Sequence, residues 1–215
     1  MTLLVIAGKE VLDGIGALER YARDHGRTLD RYDVAGRSPD GVTYATVKAT
    51  RSLASRISLE EGRWFVEGAP RPNWSAAKPE WTFCDADPLQ VGGVFDVAAQ
   101  IFDGYLRAAP SGINVGKISK VLHLVRPSLF PILDSRIQAA YAQLALDATL
   151  AIRTRRTDFP YQRSFWVAIR NDLLANEKSL KALRESAAKH ESARVRFMGA
   201  KTSDVRLLDF LVWQQ

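Results

Sequence analysis

The sequence predicts a mainly α protein with a less regular N-terminal part. Three observations lead there. From Gly93 onward, apolar residues recur at helical intervals almost to the C-terminus. Two of those stretches flank a short glycine-containing turn, PSGINVG, as a helix–hairpin–helix at about 93–125. The first ninety residues mix Trp, Pro and Gly and hold no sustained period. The expected organisation is therefore an N-terminal helical and irregular region over 1–90 and a helical body over 91–215, with room for both to form one domain.

Taken in order, GIGALERYARDHG predicts an amphipathic helix with Ile15, Leu18 and Tyr21 on one face and Gly26 closing it. YATVKATRSLASRISLEEG predicts a second helix. The Pro-rich stretch from Arg63 to Pro88 predicts a long ordered loop or a short hairpin. Trp64, Trp74 and Trp81 anchor it, and both core packing and a base-facing wall account for them. VFDVAAQIFDGYLRA and GKISKVLHLV are the hairpin helices, and RPSLFPIL breaks regularity at two prolines. Asp134 suits the N-cap of the helix SRIQAAYAQLALDATLAI. Arg153, Arg155 and Arg156 form a basic turn before two helices expected to meet near Asn176. The closing VRLLDFLVWQQ is apolar enough to pack back on the body. No repeat is visible.

Composition narrows the function classes. The chain has 215 residues, 47% hydrophobic and 25% charged, enough for a core without disulfide or metal. Thirty Lys and Arg against 24 Asp and Glu give a net charge of +6, which favours a polyanionic partner. A single cysteine, Cys84, excludes an internal disulfide, a zinc ribbon and an all-cysteine iron–sulfur cluster. His25, His123 and His190 show no ligand spacing, so no metal and no cofactor are expected. The opening MTLLVIAGKEVLDG reads as neither signal peptide nor membrane span, which predicts a cytoplasmic protein with no membrane partner.

The charge is concentrated. Between Tyr105 and Arg136 stand Arg107, Lys117, Lys120, Arg126 and Arg136 against Asp134 alone. Asn114, Val115 and Gly116 open the second hairpin helix, where orphan N–H groups and the helix dipole favour a phosphate. Lys117 and Lys120 add positive charge on its first turns, and Arg126 and Arg136 flank Asp134 as a phosphate clamp or as its salt-bridge partners. An ordinary αα-hairpin with solvated lysines explains the same spacing. Eight basic residues against three acidic ones from Lys178 to Arg206 extend a DNA footprint or line a solvated surface.

On these residues the stretch APSGINVGKISKVLHLVRPSLFPILDSRI resembles the helix–hairpin–helix superfamily of DNA glycosylases. Asn114-Val115-Gly116 stands where that family has Gly-Val-Gly, and Asn is tolerable there because it accepts left-handed geometry. Phe130-Pro131-Ile132-Leu133 leads into Asp134, 18 positions after Gly116. The resemblance implies a glycosylase-like fold of two helical lobes, with Asp134 as the catalytic carboxylate, stabilising the oxocarbenium-like sugar and activating water. Bifunctional members carry a lysine nucleophile two residues after the last hairpin glycine. Ile118 occupies that position, which implies a monofunctional enzyme. A second resemblance, over roughly residues 92 to 213, is to a family of uncharacterised proteins common in actinobacteria, and it implies no activity.

A glycosylase needs a pocket for an extruded base. His123, Phe130, Tyr141 and Trp166 are the expected lining residues, with Trp74, Trp81 and Tyr161 as further aromatics. Each is equally at home in a core. The implied function is removal of a damaged or modified base for repair or anti-phage defence, on double-stranded DNA with the base flipped out and with no obligate protein partner. The alternatives are a non-enzymatic helix–hairpin–helix DNA-binding protein and a protein-interaction domain whose hairpin binds nothing.

Overall fold

The computed structural model describes residues 3–157, 159 and 163–215, and it is mainly helical. Two compact units, named by their place in the sequence, divide the chain: Arg27–Asp134 forms the central unit, and Met1–Gly26 with Ser135–Gln215, the outer segments, forms the outer unit. Residue 90, where the composition changes, therefore falls inside a unit. The reason is local: the Phe83 N–H donates to the Ser128 carbonyl at 2.7 Å, tying the Trp- and Pro-rich stretch to the chain beyond the hairpin.

In the central unit, a π-helical turn at Leu29–Val34 precedes α3 (Tyr44–Thr50) and α4 (Leu59–Arg63). The single helix expected over 44–62 is broken. Ala54 adopts φ +54, a left-handed conformation that ends the 3-10 turn Arg51–Leu53. Ser58 then starts α4 with a capping box, its side chain accepting from the Glu61 N–H while Glu61 accepts from the Ser58 N–H. The motif Ser58-x-x-Glu61 was visible in the sequence. Helices α5 (Val94–Ala108) and α6 (Val115–Val125) follow and pack on each other. The core holds Phe65, Phe83, Phe95, Phe102, Val121 and Leu122, all buried.

The other unit begins with β1 (Val5–Ile6) and β2 (Lys9–Glu10), an antiparallel pair closed by Ala7 at φ +52 and Gly8 at φ +75. Two consecutive left-handed residues match the twist of a tight hairpin. Helix α1 (Gly14–Asp24) is capped by the Asp13 carboxylate, and the short α2 (Gly26–Thr28) spans the passage between units. After the central unit come α7 (Ser135–Arg153), α8 (Ser164–Ala175), α9 (Glu177–Ala188), α10 (Ala193–Lys201) and α11 (Asp204–Trp213). Helix α7 packs on α8, α9 on α10, and α1 on α11. The α8–α9 joint falls at Asn176, and α11 is buried along most of its length, both as the sequence predicts. Among the described residues, no helix is long and apolar enough to cross a membrane.

Candidate functional site

The hairpin gathers some of the expected site residues and not others. Helix α5 ends at Ala109 in extended backbone, and Gly112, at φ +95, makes the turn that brings the chain to Asn114. Asn114 is not left-handed. Its φ of −115° and ψ of 177° are extended, and its Oδ1 accepts from the Lys117 N–H at 3.1 Å. Asn serves here as a helix cap, and Gly112 supplies the left-handed step. The N–H groups of Val115 and Gly116 stand at the head of α6, outside the helical ladder.

The chain from Leu129 to Asp134 crosses that helix start. The Leu133 N–H donates to Ser119 Oγ at 2.9 Å, and Ser119 Oγ donates to the Gly116 carbonyl at 3.1 Å. A Cβ on Gly116 would lie 3.5 Å from the Leu133 carbonyl and 3.9 Å from Asp134 Cα, ordinary contact distances, so the Leu133–Asp134 backbone lies beside the helix start without requiring glycine there. Asp134 is buried, with 8% of its surface exposed, immediately before α7. Asn114, Val115, Gly116, Lys117 and Asp134 are thus brought together.

The other cations are elsewhere. Lys120 is buried and its ammonium donates to the Leu53 carbonyl at 2.8 Å, while Tyr32 Oη donates to the Lys120 carbonyl. Arg126 is buried too. Its Nε donates to Ala77, its Nη1 to Pro39 and Val125, and its Nη2 to Trp74, all at backbone carbonyls, with the guanidinium over the Trp74 ring. Burial lowers the Arg126 pKa, partly offset by the charge of Asp40. These two groups brace loops; the expectation that they face phosphate does not match their burial. Arg136 is exposed in the other unit and lies 5.1 Å over the Trp213 ring.

The expected pocket residues are core residues. His123 Nδ1 donates to the Phe130 carbonyl at 2.8 Å, and the imidazole stacks on Tyr32. Phe130 and Trp166 are fully buried, Trp166 beneath the Arg163 guanidinium. Tyr141, also fully buried, donates to Asp172 Oδ2 at 2.8 Å. Tyr141 and Trp166 belong to the outer unit, His123 and Phe130 to the central one. Trp74 and Trp81 are half-buried in the loop, and Tyr161 lies outside the described residues.

Sequence reasoning missed Glu61. Its Oε1 sits 2.5 Å from Lys117 Nζ, which also donates to the Gly112 carbonyl at 2.9 Å. Burial opposes ionisation of Glu61, yet Lys117 and the Ser58 N–H together hold its carboxyl below the usual range. The capping box marks Glu61 in the sequence, but nothing there announces a partner 56 positions away.

The outer unit carries a separate open cavity of about 420 Å³ lined by Glu19, Arg23, His190, Glu191 and Arg194 among others. His190 Nε2 faces Glu19 at 3.0 Å while its Nδ1 accepts from the Ser192 N–H. Among the described residues, no group of three or more His, Cys, Asp or Glu side chains is placed to hold a metal ion.

Residues 18–215 match the model of a family described as a family of unknown function, DUF6308. No curated protein and no solved structure matches the chain.

Proposed function

The chain belongs to the family of unknown function DUF6308, so its activity is to be read from its own residues, and we propose that it is a monofunctional DNA glycosylase with Asp134 as the catalytic carboxylate. The observation that carries this is the meeting of Asp134 with the head of α6, where the Leu133 N–H donates to Ser119 Oγ and the Asp134 backbone passes beside Gly116. The N–H groups of Val115 and Gly116 suit a DNA phosphate, which would fix the strand. Asp134 would then face the sugar of the target nucleotide.

The reaction breaks the bond between C1′ and the base nitrogen. Positive charge develops at C1′, an ionised carboxylate stabilises it, water supplies the new C1′–O bond, and its proton leaves with the base. Ile118 is fully buried and has no amine, so no Schiff base forms at that position and the backbone stays intact. The enzyme would be a glycosylase of the helix–hairpin–helix kind acting on a damaged or modified base.

A second reading is a DNA-binding module without catalysis. It is favoured by the burial of His123, Phe130, Tyr141 and Trp166, none of which offers a free face to an extruded base. Duplexes carrying varied lesions and modified bases, treated with the protein and then with alkali, separate the two. Base excision gives strand scission only after alkali, and Asp134→Asn lowers its rate by about 100-fold or more while leaving DNA affinity within about twofold. Binding with no scission on any duplex supports the second reading. Scission without alkali overturns the assignment drawn from Ile118.

A further inference from the structure

The Lys117–Glu61 pair lies at the hairpin itself. Gly112 is exposed, and a Cβ on it would stand 3.0 Å from Glu61 Oε1. The same oxygen is 2.5 Å from Lys117 Nζ, whose second bond goes to the Gly112 carbonyl. Glu61 Oε2 is held by the Ser58 N–H at 2.8 Å, which fixes the carboxylate from behind. An anionic group therefore already rests against the turn and on the lysine closest to the head of α6. Both side chains keep 15% of their surface exposed, so the pair is sheltered but reachable.

Resting on the reading of this hairpin as a DNA phosphate site, we infer that Glu61 is a built-in phosphate surrogate that competes with DNA for Lys117. In the free protein it satisfies the lysine and repels a second anion. When a phosphodiester arrives, Lys117 exchanges one anionic partner for another, and the net gain is small. Glu61 thus sets a threshold for backbone binding, so that hairpin charge alone does not hold undamaged DNA. Only contacts made elsewhere on the DNA carry the complex past it. The low pKa of Glu61 keeps the surrogate charged across the neutral range.

The test uses the full chain and an unmodified duplex, with affinity measured over a range of salt concentrations. Glu61→Gln keeps the side-chain shape and an oxygen for the Ser58 N–H while removing the charge. Its affinity is expected to rise about tenfold, and its salt dependence to steepen by about 0.9 in logarithmic slope, the signature of one more phosphate contact. Glu60→Gln removes the same charge from the adjacent exposed residue and is expected to change affinity less than about twofold. Lys117→Ala should cancel the gain when combined with Glu61→Gln. If the amide variant does not fold, Glu61→Ala replaces it, since Ser58 Oγ still accepts the residue 61 N–H. Wild-type binding that Glu61→Gln leaves equal or weaker overturns the surrogate and spares the DNA reading. A gain that Glu60→Gln matches also overturns it, as a general charge effect. No duplex binding by any variant overturns the DNA reading and the surrogate together.

Discussion

Arg126, buried in the central unit, and Arg206, buried in the outer one, are satisfied in opposite ways. Arg126 spends its guanidinium on the carbonyls of Pro39, Trp74, Ala77 and Val125, joining two stretches of irregular chain to the end of α6. Arg206 instead pairs with Asp209 on the same helix, donates to Tyr21 Oη at 3.2 Å and lies 4.4 Å over the Phe210 ring. The first is a brace built from neutral acceptors, the second a buried ion pair in an aromatic cage. Losing the first arginine leaves carbonyls that can turn toward water. Losing the second leaves a buried carboxylate. A basic residue near a hairpin is therefore no measure of phosphate contact until its acceptors are known.

Arg206→Met is expected to have the largest effect on stability. Asp209 is 3% exposed, and among the described residues its Oδ1 has no hydrogen-bond partner, so loss of the guanidinium strands the charge. The cost should be about 4 kcal/mol, read as a lower urea midpoint and as faster amide exchange in α1 and α11. Adding Asp209→Leu should restore most of it, because a well-packed apolar pair of similar volume is often as stable as a buried ion pair. If the double variant is as unstable as the single one, the cage and not the charge is what matters.

Arg126→Met comes next, at about 2 kcal/mol, since each freed carbonyl loses a charge-assisted bond but sits in loop chain able to take up water. Its signature is placement: exchange should rise around Pro39 and Trp74–Ala77 while the helices of the outer unit keep their protection. Equal costs for Arg126→Met and Arg206→Met would break the distinction between neutral and ionic acceptors. A further outcome follows for function: DNA affinity should be unchanged by Arg126→Met wherever the protein remains folded.

Much of this architecture was legible beforehand, and the failures share a cause. The helices from Val94 onward, the joint at Asn176 and the start of α7 after Asp134 follow from apolar spacing and capping chemistry, which act over one or two turns. The break at Ala54 was not legible, because a left-handed alanine gives no signal of the kind glycine gives. Nor was the return of the chain at Ser135 to the unit it left at Gly26. At the hairpin, Asn114, Gly116 and Asp134 were legible as a group. Lys120, Arg126 and Glu61 were not, since their roles depend on Leu53, Pro39, Ala77 and Lys117, partners that are remote in sequence.

The smallest expected effect probes a half-buried polar contact of the outer unit. Asp172 Oδ2 accepts from the Ala7 N–H at 2.6 Å and from Tyr141 Oη at 2.8 Å, holding the β1–β2 turn to α8. Burial raises the Asp172 carboxyl above its ordinary value of 3.8, while those two donors pull it partly back. A carboxyl that binds its proton more tightly in the folded state contributes stability that is complete below the unfolded pKa and is lost as pH rises through the folded one. Tyr141→Phe removes one of the two groups that favour the carboxylate, so that loss should move to higher pH. At pH 7 the variant should be less stable by about 1 kcal/mol, and the difference should shrink as the pH falls toward the unfolded value and Asp172 takes up its proton. Urea midpoints measured across that interval decide it. A cost that is the same at both ends would mean that the hydroxyl matters for packing in the core and not for the charge on Asp172, and the contact would then resemble the neutral brace of the central unit more than the ion pair of its own.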